Sequence, residues 1–132
     1  MNGVYLAGPM RGIPDFNFPM FHTVAAKLRK AGFGPVFNPA EHDEQKFGKG
    51  TFVSRSGNEA DLTVPFSIRE ALRDDLCWIA EHADMMVLLP GWNKSRGAIA
   101  EYALAKALGL SVWTVSPELD SITKLNKDLT IL

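Results

Sequence analysis

Short apolar runs alternate along the chain with stretches in which apolar residues recur at helical spacing. Gly3-Val4-Tyr5-Leu6-Ala7 stops at the turn signal Gly8-Pro9 and predicts a central strand. Phe21, Val24, Ala25, Leu28 and Ala31 then recur every three to four residues, which predicts an amphipathic helix. Asn17 is its expected cap, Phe16 and Phe21 a hydrophobic staple, and Gly32 its stop. Pro35-Val36-Phe37-Asn38-Pro39 reads as a second strand. From Glu41 to about Phe66 the periodicity disappears, and an irregular insertion is expected there: a lid, a binding loop or a disordered segment. Ser67 caps a helix with Ile68, Leu72, Leu76 and Ile79 on its core face, and Met85–Leu89 follows as a buried strand. The alternation closes with an Ala-rich helix from Ser95 to Leu108 stopped by Gly109, a strand at Ser111–Val115, and a short helix around Leu119–Leu125. Together these predict an α/β fold, with an open, mainly parallel, Rossmann-like (flavodoxin-like) sheet and helices on both faces.

The 132 residues fit one domain, 1–132, large enough to bury a core without disulfides. With 14 Lys and Arg against 15 Asp and Glu, the formal charge of −1 gives no footprint for polymeric nucleic acid or an anionic membrane. Anion binding must therefore be local. The single Cys77 excludes an internal disulfide and offers no metal cluster; it is expected as a small hydrophobe inside a helix. Neither a membrane span nor a signal segment is evident, so a cytoplasmic location is expected, with no metal and no cofactor.

The candidate chemistry gathers at Pro90–Ala105, the loop and helix that follow the Met85–Leu89 strand, which is where open α/β sheets bind ligands. Ser95 is a good cap, and Gly97 leaves the backbone N–H groups of the first turn unshielded, so the helix mouth can receive an anion. Glu101 shares one helix face with Gly97 and Ala105, which either leaves room for a ligand or lets the helix lie close to the sheet. Arg11, beyond the first strand, is either a forked ligand for an anion or a solvated charge. Asp75 stands at the edge of its helix's core face, and spacing leaves its direction open. His22 is expected as a surface histidine. Gly48-Lys49-Gly50-Thr51 lacks the spacing and the preceding strand of a phosphate loop, which argues against an ATPase.

Taken in order, Tyr5-Leu6-Ala7-Gly8-Pro9, then Asp75-Leu76 and Ala83-Asp84, then Ser95-x-Gly97-x-x-x-Glu101 resemble the nucleoside 2-deoxyribosyltransferase superfamily. The resemblance is nearest to a branch common in phages and prophages, in which an A-G-P-M-R-G start and an L-P-G-W-x-x-S-x-G-A-x-x-E block recur. It implies cleavage of an N-glycosidic bond, with Glu101 as nucleophile at the anomeric carbon and Asp75 positioning or protonating the base. Substrate contacts are implied for Tyr5, Gly8, Met10, Arg11, Ser95, Gly97 and Trp92. Transferases that take free nucleosides tend to carry an acid at the position of Ser95, so Ser95 with Gly97 and Arg11 resembles the 2′-deoxynucleoside 5′-monophosphate hydrolases instead. Trp92 is bulkier than the equivalent loop residues and either stacks on a base or closes the loop.

Three readings follow: a monophosphate N-glycoside hydrolase, a deoxyribosyltransferase that exchanges bases, and a nucleotide-binding module without chemistry. Two acids beside one anion site argue for chemistry. A homodimer or larger symmetric assembly is expected, both from the resemblance and from the apolar end Leu129-Thr130-Ile131-Leu132.

Overall fold

The computed structural model describes residues 2–125. Five strands, β1 (Gly3–Ala7), β2 (Val36–Phe37), β3 (Ala83–Leu88), β4 (Ser111–Val115) and β5 (Ile122–Lys124), form one sheet in the order β2-β1-β3-β4-β5. The first four are parallel and β5 runs antiparallel to β4. The helices are α1 (Phe18–Lys30), α2 (Pro39–Phe47), α3 (Ile68–His82) and α4 (Arg96–Leu108). The predicted open α/β sheet is thus the observed one. Its central strand β1 sits between β2 and β3, so the chain reverses direction across the sheet there, the switch point at which such folds bind ligands.

The pleat of β1 sorts its side chains between two cores. Val4 and Leu6 face a cluster built on Phe18, Phe21, Val24 and Leu28 of α1, while Tyr5 and Ala7 face one built on Ile79 of α3 and Ala98 and Ala105 of α4. Every residue of β1 is buried, which is why the run carries no polar alternation.

Several expectations are corrected. The insertion is largely ordered: Pro39–Phe47 is a helix, capped by Asn38, whose side chain accepts from the Ala40 N–H, and Lys49–Phe52 and Glu59–Asp61 are 3₁₀ turns. Charge hides α2 from a periodicity argument, because apart from Ala40 and the N-terminal Pro39 the one buried side chain it carries is Asp43. Pro39, suited to a first helical turn, also cuts β2 to two residues. The segment after α2 is tied to the β1–α1 loop by Gly12 N–H to Gly57 O at 2.9 Å and Ser54 N–H to Asp15 Oδ1 at 2.8 Å. Gly57 (φ +70°) packs so tightly that a Cβ there would collide with the Ile13 backbone.

Around Leu119–Leu125 the chain forms β5, because Ser116 Oγ accepts from the Asp120 and Ser121 N–H groups and turns it back along β4. Asn17 does not cap α1. It adopts a left-handed φ of 63°, and its amide donates to the Pro9 carbonyl instead. Cys77 lies in α3 but is exposed, facing away from the sheet. Gly109 (φ +74°) does stop α4. Among the described residues no helix is long and apolar enough to cross a membrane. The apolar end at 129–132 lies outside the described residues.

Candidate active site

Three elements deliver the acidic centre. Tyr5 stands on β1, Glu101 on α4 where that helix lies over the sheet, and Asp75 on the neighbouring α3. Tyr5 is fully buried and Glu101 only 6% exposed, and the Tyr5 hydroxyl donates to Glu101 Oε2 at 2.7 Å. Glu101 therefore points neither to solvent nor to open space but inward. The small residues of α4 explain its depth: Ala98 and Ala105 are buried against the sheet and let the helix approach. The Asp75 carboxyl, half-buried, faces the same hydroxyl and the Glu101 carboxyl.

Burial is the largest influence on all three groups. It pushes the Glu101 carboxyl well up, the Asp75 charge adds to this, and the Tyr5 hydrogen bond opposes it. Asp75 is raised to about 7, by burial first and then by the charge of Asp43 on α2. The Tyr5 phenol is held well above its ordinary value and stays a donor. Two close carboxyls in one dry site share a single proton more readily than they carry two charges, which leaves one acid neutral and one ionised.

At the mouth of α4, Ser95 Oγ accepts from the Ala98 N–H at 3.2 Å and keeps its own proton free to donate. A Cβ on Gly97 would meet nothing nearer than Ser95 Oγ at 4.0 Å, so the first turn is open. Gly8 is different. A Cβ there would lie 2.8 Å from the Leu89 Cβ, so its smallness serves the packing of the two strand ends. Gly91 (φ +86°) brings its loop against Pro9, whose Cγ would stand 3.2 Å from a Cβ, and the loops after β1 and β3 thus touch.

The remaining expected site residues are placed less centrally. Arg11 is exposed and paired with Glu59 Oε2 at 3.0 Å, so an anion must compete for it. Met10 packs against the core on the α1 side, not the side that holds Glu101. The Trp92 ring lies 4.9 Å from that of Tyr102, tilted by 54°, and so closes the loop onto α4. His22 is partly exposed on α1, with Nε2 3.2 Å from Glu44 Oε1. Among the described residues no group of three or more His, Cys, Asp or Glu side chains is arranged to hold a metal ion.

Asp43 was not singled out by the sequence. It is buried on α2 and its carboxyl is raised to about 7, chiefly by burial. It lines a cavity of about 290 Å³ between α2 and α3, together with His42, Lys46, Phe47, Phe66 and Asp74. A helical stretch without apolar periodicity gives no signal for a buried acid. The Asn38-Pro39 cap was the available clue that a helix began there.

The family described as "Domain of unknown function (DUF4406)" matches residues 2–114, and the chain belongs to it. No curated protein and no solved structure matches the chain.

Proposed function

We propose that the protein cleaves the N-glycosidic bond of a 2′-deoxynucleoside 5′-monophosphate. The observation that carries this reading is the buried Tyr5–Glu101 hydrogen bond with Asp75 beside it: two carboxyls, both raised by burial, share one proton, and with that proton on Asp75 the ionised Glu101 is held by the Tyr5 donor. This is the division of labour that glycosidic cleavage requires. Ionised Glu101 attacks C1′ of the sugar as the C1′–N bond breaks, and protonated Asp75 gives its proton to the departing base. Water then adds to C1′, its proton passes to Asp75, and the bond to Glu101 breaks. Free base and 2-deoxyribose 5-phosphate are released and both acids return to their starting state.

The open turn at Gly97, the Ser95 hydroxyl and the N-terminal end of α4 form the phosphate subsite of this reading. Arg11 joins it by leaving Glu59. A symmetric homo-oligomer completes the reading, with the exposed Ile99, Ala103, Ala107 and Leu108 of α4 as a close-packing surface and sedimentation at low micromolar concentration as its measure; a fully active monomer overturns that part.

Incubation with a panel of deoxynucleoside monophosphates and deoxynucleosides, followed by chromatography for free base, tests the proposal. Release from monophosphates is expected, with loss on the order of a thousandfold or more in Glu101→Gln, which keeps a partner for Tyr5. Formation of a new nucleotide when a second free base is added would instead assign base exchange. Binding without release from any of the panel would leave a nucleotide-binding module.

A further inference from the structure

The cavity between α2 and α3 holds a group whose situation nothing inside the protein explains. Asp43 is only 8% exposed and lines the cavity, onto which its carboxyl opens, with the charge of Lys46 nearby but no side-chain hydrogen bond to it among the described residues. The other acids of the cavity wall are matched: Lys46 stands 3.4 Å from Glu70 Oε1 and 3.8 Å from Asp74 Oδ2, and Arg73 lies 3.0 Å from Asp74 Oδ1. Beside Asp43, the Nε2 of His42 is buried without a hydrogen bond; its nearest acid, Asp74 Oδ2 at 3.5 Å, is not in bonding geometry. Buried polar groups left unpaired cost stability, and they are paired in the state for which a site is built.

The cavity's shape and walls narrow the occupant. Its volume of about 290 Å³ lies near the lower limit of small-molecule pockets and suits one flat ring system. Phe47 and Phe66, with ring centroids 5.7 Å apart, and Pro65 supply apolar and aromatic wall. Asp43 lines the cavity and its charge is the strongest charged influence on Asp75, so the cavity lies within electrostatic reach of the acid that would protonate a leaving base. We propose that this cavity receives the base of the nucleotide, and that Asp43 selects bases bearing an exocyclic amino group next to a ring nitrogen. This rests on the reading of the protein as an N-glycosidase.

An ionised carboxylate only accepts hydrogen bonds, so where it meets the exocyclic group an amino group satisfies it and the carbonyl oxygen of the oxo base opposes it; a carboxylate on the neighbouring ring nitrogen would instead favour the oxo base, which bears a proton there. The test compares pairs in which the exocyclic amino group becomes a carbonyl and the neighbouring ring nitrogen gains a proton, dCMP with dUMP and dAMP with dIMP. It is run at about pH 8, above the point near 7 where Asp43 titrates. The wild-type protein is expected to prefer the amino member in kcat/KM by at least roughly tenfold. In Asp43→Asn, whose amide both donates and accepts, the ratio should fall to within about threefold, mainly through gain of the oxo substrate. Thermal shift or calorimetry with the same nucleotides, on protein shown by circular dichroism to be folded, gives a readout independent of turnover. A ratio unchanged in folded Asp43→Asn, or a wild-type preference for oxo bases, overturns the assignment while leaving glycosidic cleavage standing. Amino-selective binding that depends on Asp43 without any base release keeps this site and overturns the cleavage reading.

Discussion

At the scale of single residues, the energetics of the candidate site turn on one hydrogen bond. A carboxylate inside the protein loses its water, and Tyr5 replaces part of it from a position 96 residues away in the chain. Hydrogen bonds to charged groups contribute about 1.5–3 kcal/mol. Tyr5→Phe should therefore lower kcat/KM by roughly ten- to a hundredfold, and it should also move the pH profile. Without the phenol the Glu101 carboxyl rises further, so the acidic limb of the rate shifts to higher pH. The Tyr5 hydrogen bond also lowers Asp75, so the alkaline limb, set by loss of the Asp75 proton near 7, should move to higher pH as well. A uniform loss with no movement of either limb would make Tyr5 a packing residue only. Glu101 was legible from its spacing to Ser95 and Gly97. The resemblance implied Tyr5 as a substrate contact, but not its bond to the Glu101 carboxyl, because a tyrosine in an apolar strand shows no partner until the fold brings α4 over it.

At the scale of elements, sequence and structure agree wherever burial imposes a period. β1, β3 and β4 read as short apolar runs and α1, α3 and α4 as stripes, because each covers or forms a core face, although Ile68, expected on the core face of α3, is exposed in its first turn. α2 and β5 escaped for the opposite reason: one buries almost nothing apolar, and the other is an exposed edge set by a serine-centred turn. At the mouth of α4 the glycines separate cleanly. Gly97→Ala adds a methyl group in open space and removes backbone freedom, so it should raise stability by about 0.5–1 kcal/mol in denaturant titration. If a phosphate sits there, the same change should raise KM for the monophosphate. Ser95→Asp preserves the cap and should weaken monophosphates far more than nucleosides, since it sets a charge against a charge. Equal effects on both substrates would place the phosphate elsewhere.

At the scale of the molecule, the buried acids link folding to protons. Asp43 and Asp75 titrate near 7 in the folded chain against an ordinary value of 3.8, so between those values the folded state holds protons that the unfolded state has released. Their contribution to stability is fully present below about 4 and is lost as pH rises through about 7. Thermal melts should accordingly give a higher midpoint near pH 5.5 than near pH 8, by an amount on the order of a few kcal/mol in stability. Replacing both residues with Asn should flatten that slope, and a midpoint that instead climbs from pH 5.5 to 8 would refute the protonated interior. None of this was visible in a chain whose net charge is −1 and whose acids look evenly spread.

The resting of Trp92 on Tyr102 has an optical consequence. Trp113 packs within the α1-side core and Trp78 beside Phe37, whereas Trp92 is the indole carried by the loop that leads to Ser95. An occupant that shifts this loop changes the contact between the two rings, and with it the emission of a chromophore the chain already carries. Intrinsic emission of the unmodified protein, recorded without turnover, is therefore the measurement that reports whether an occupant moves this loop.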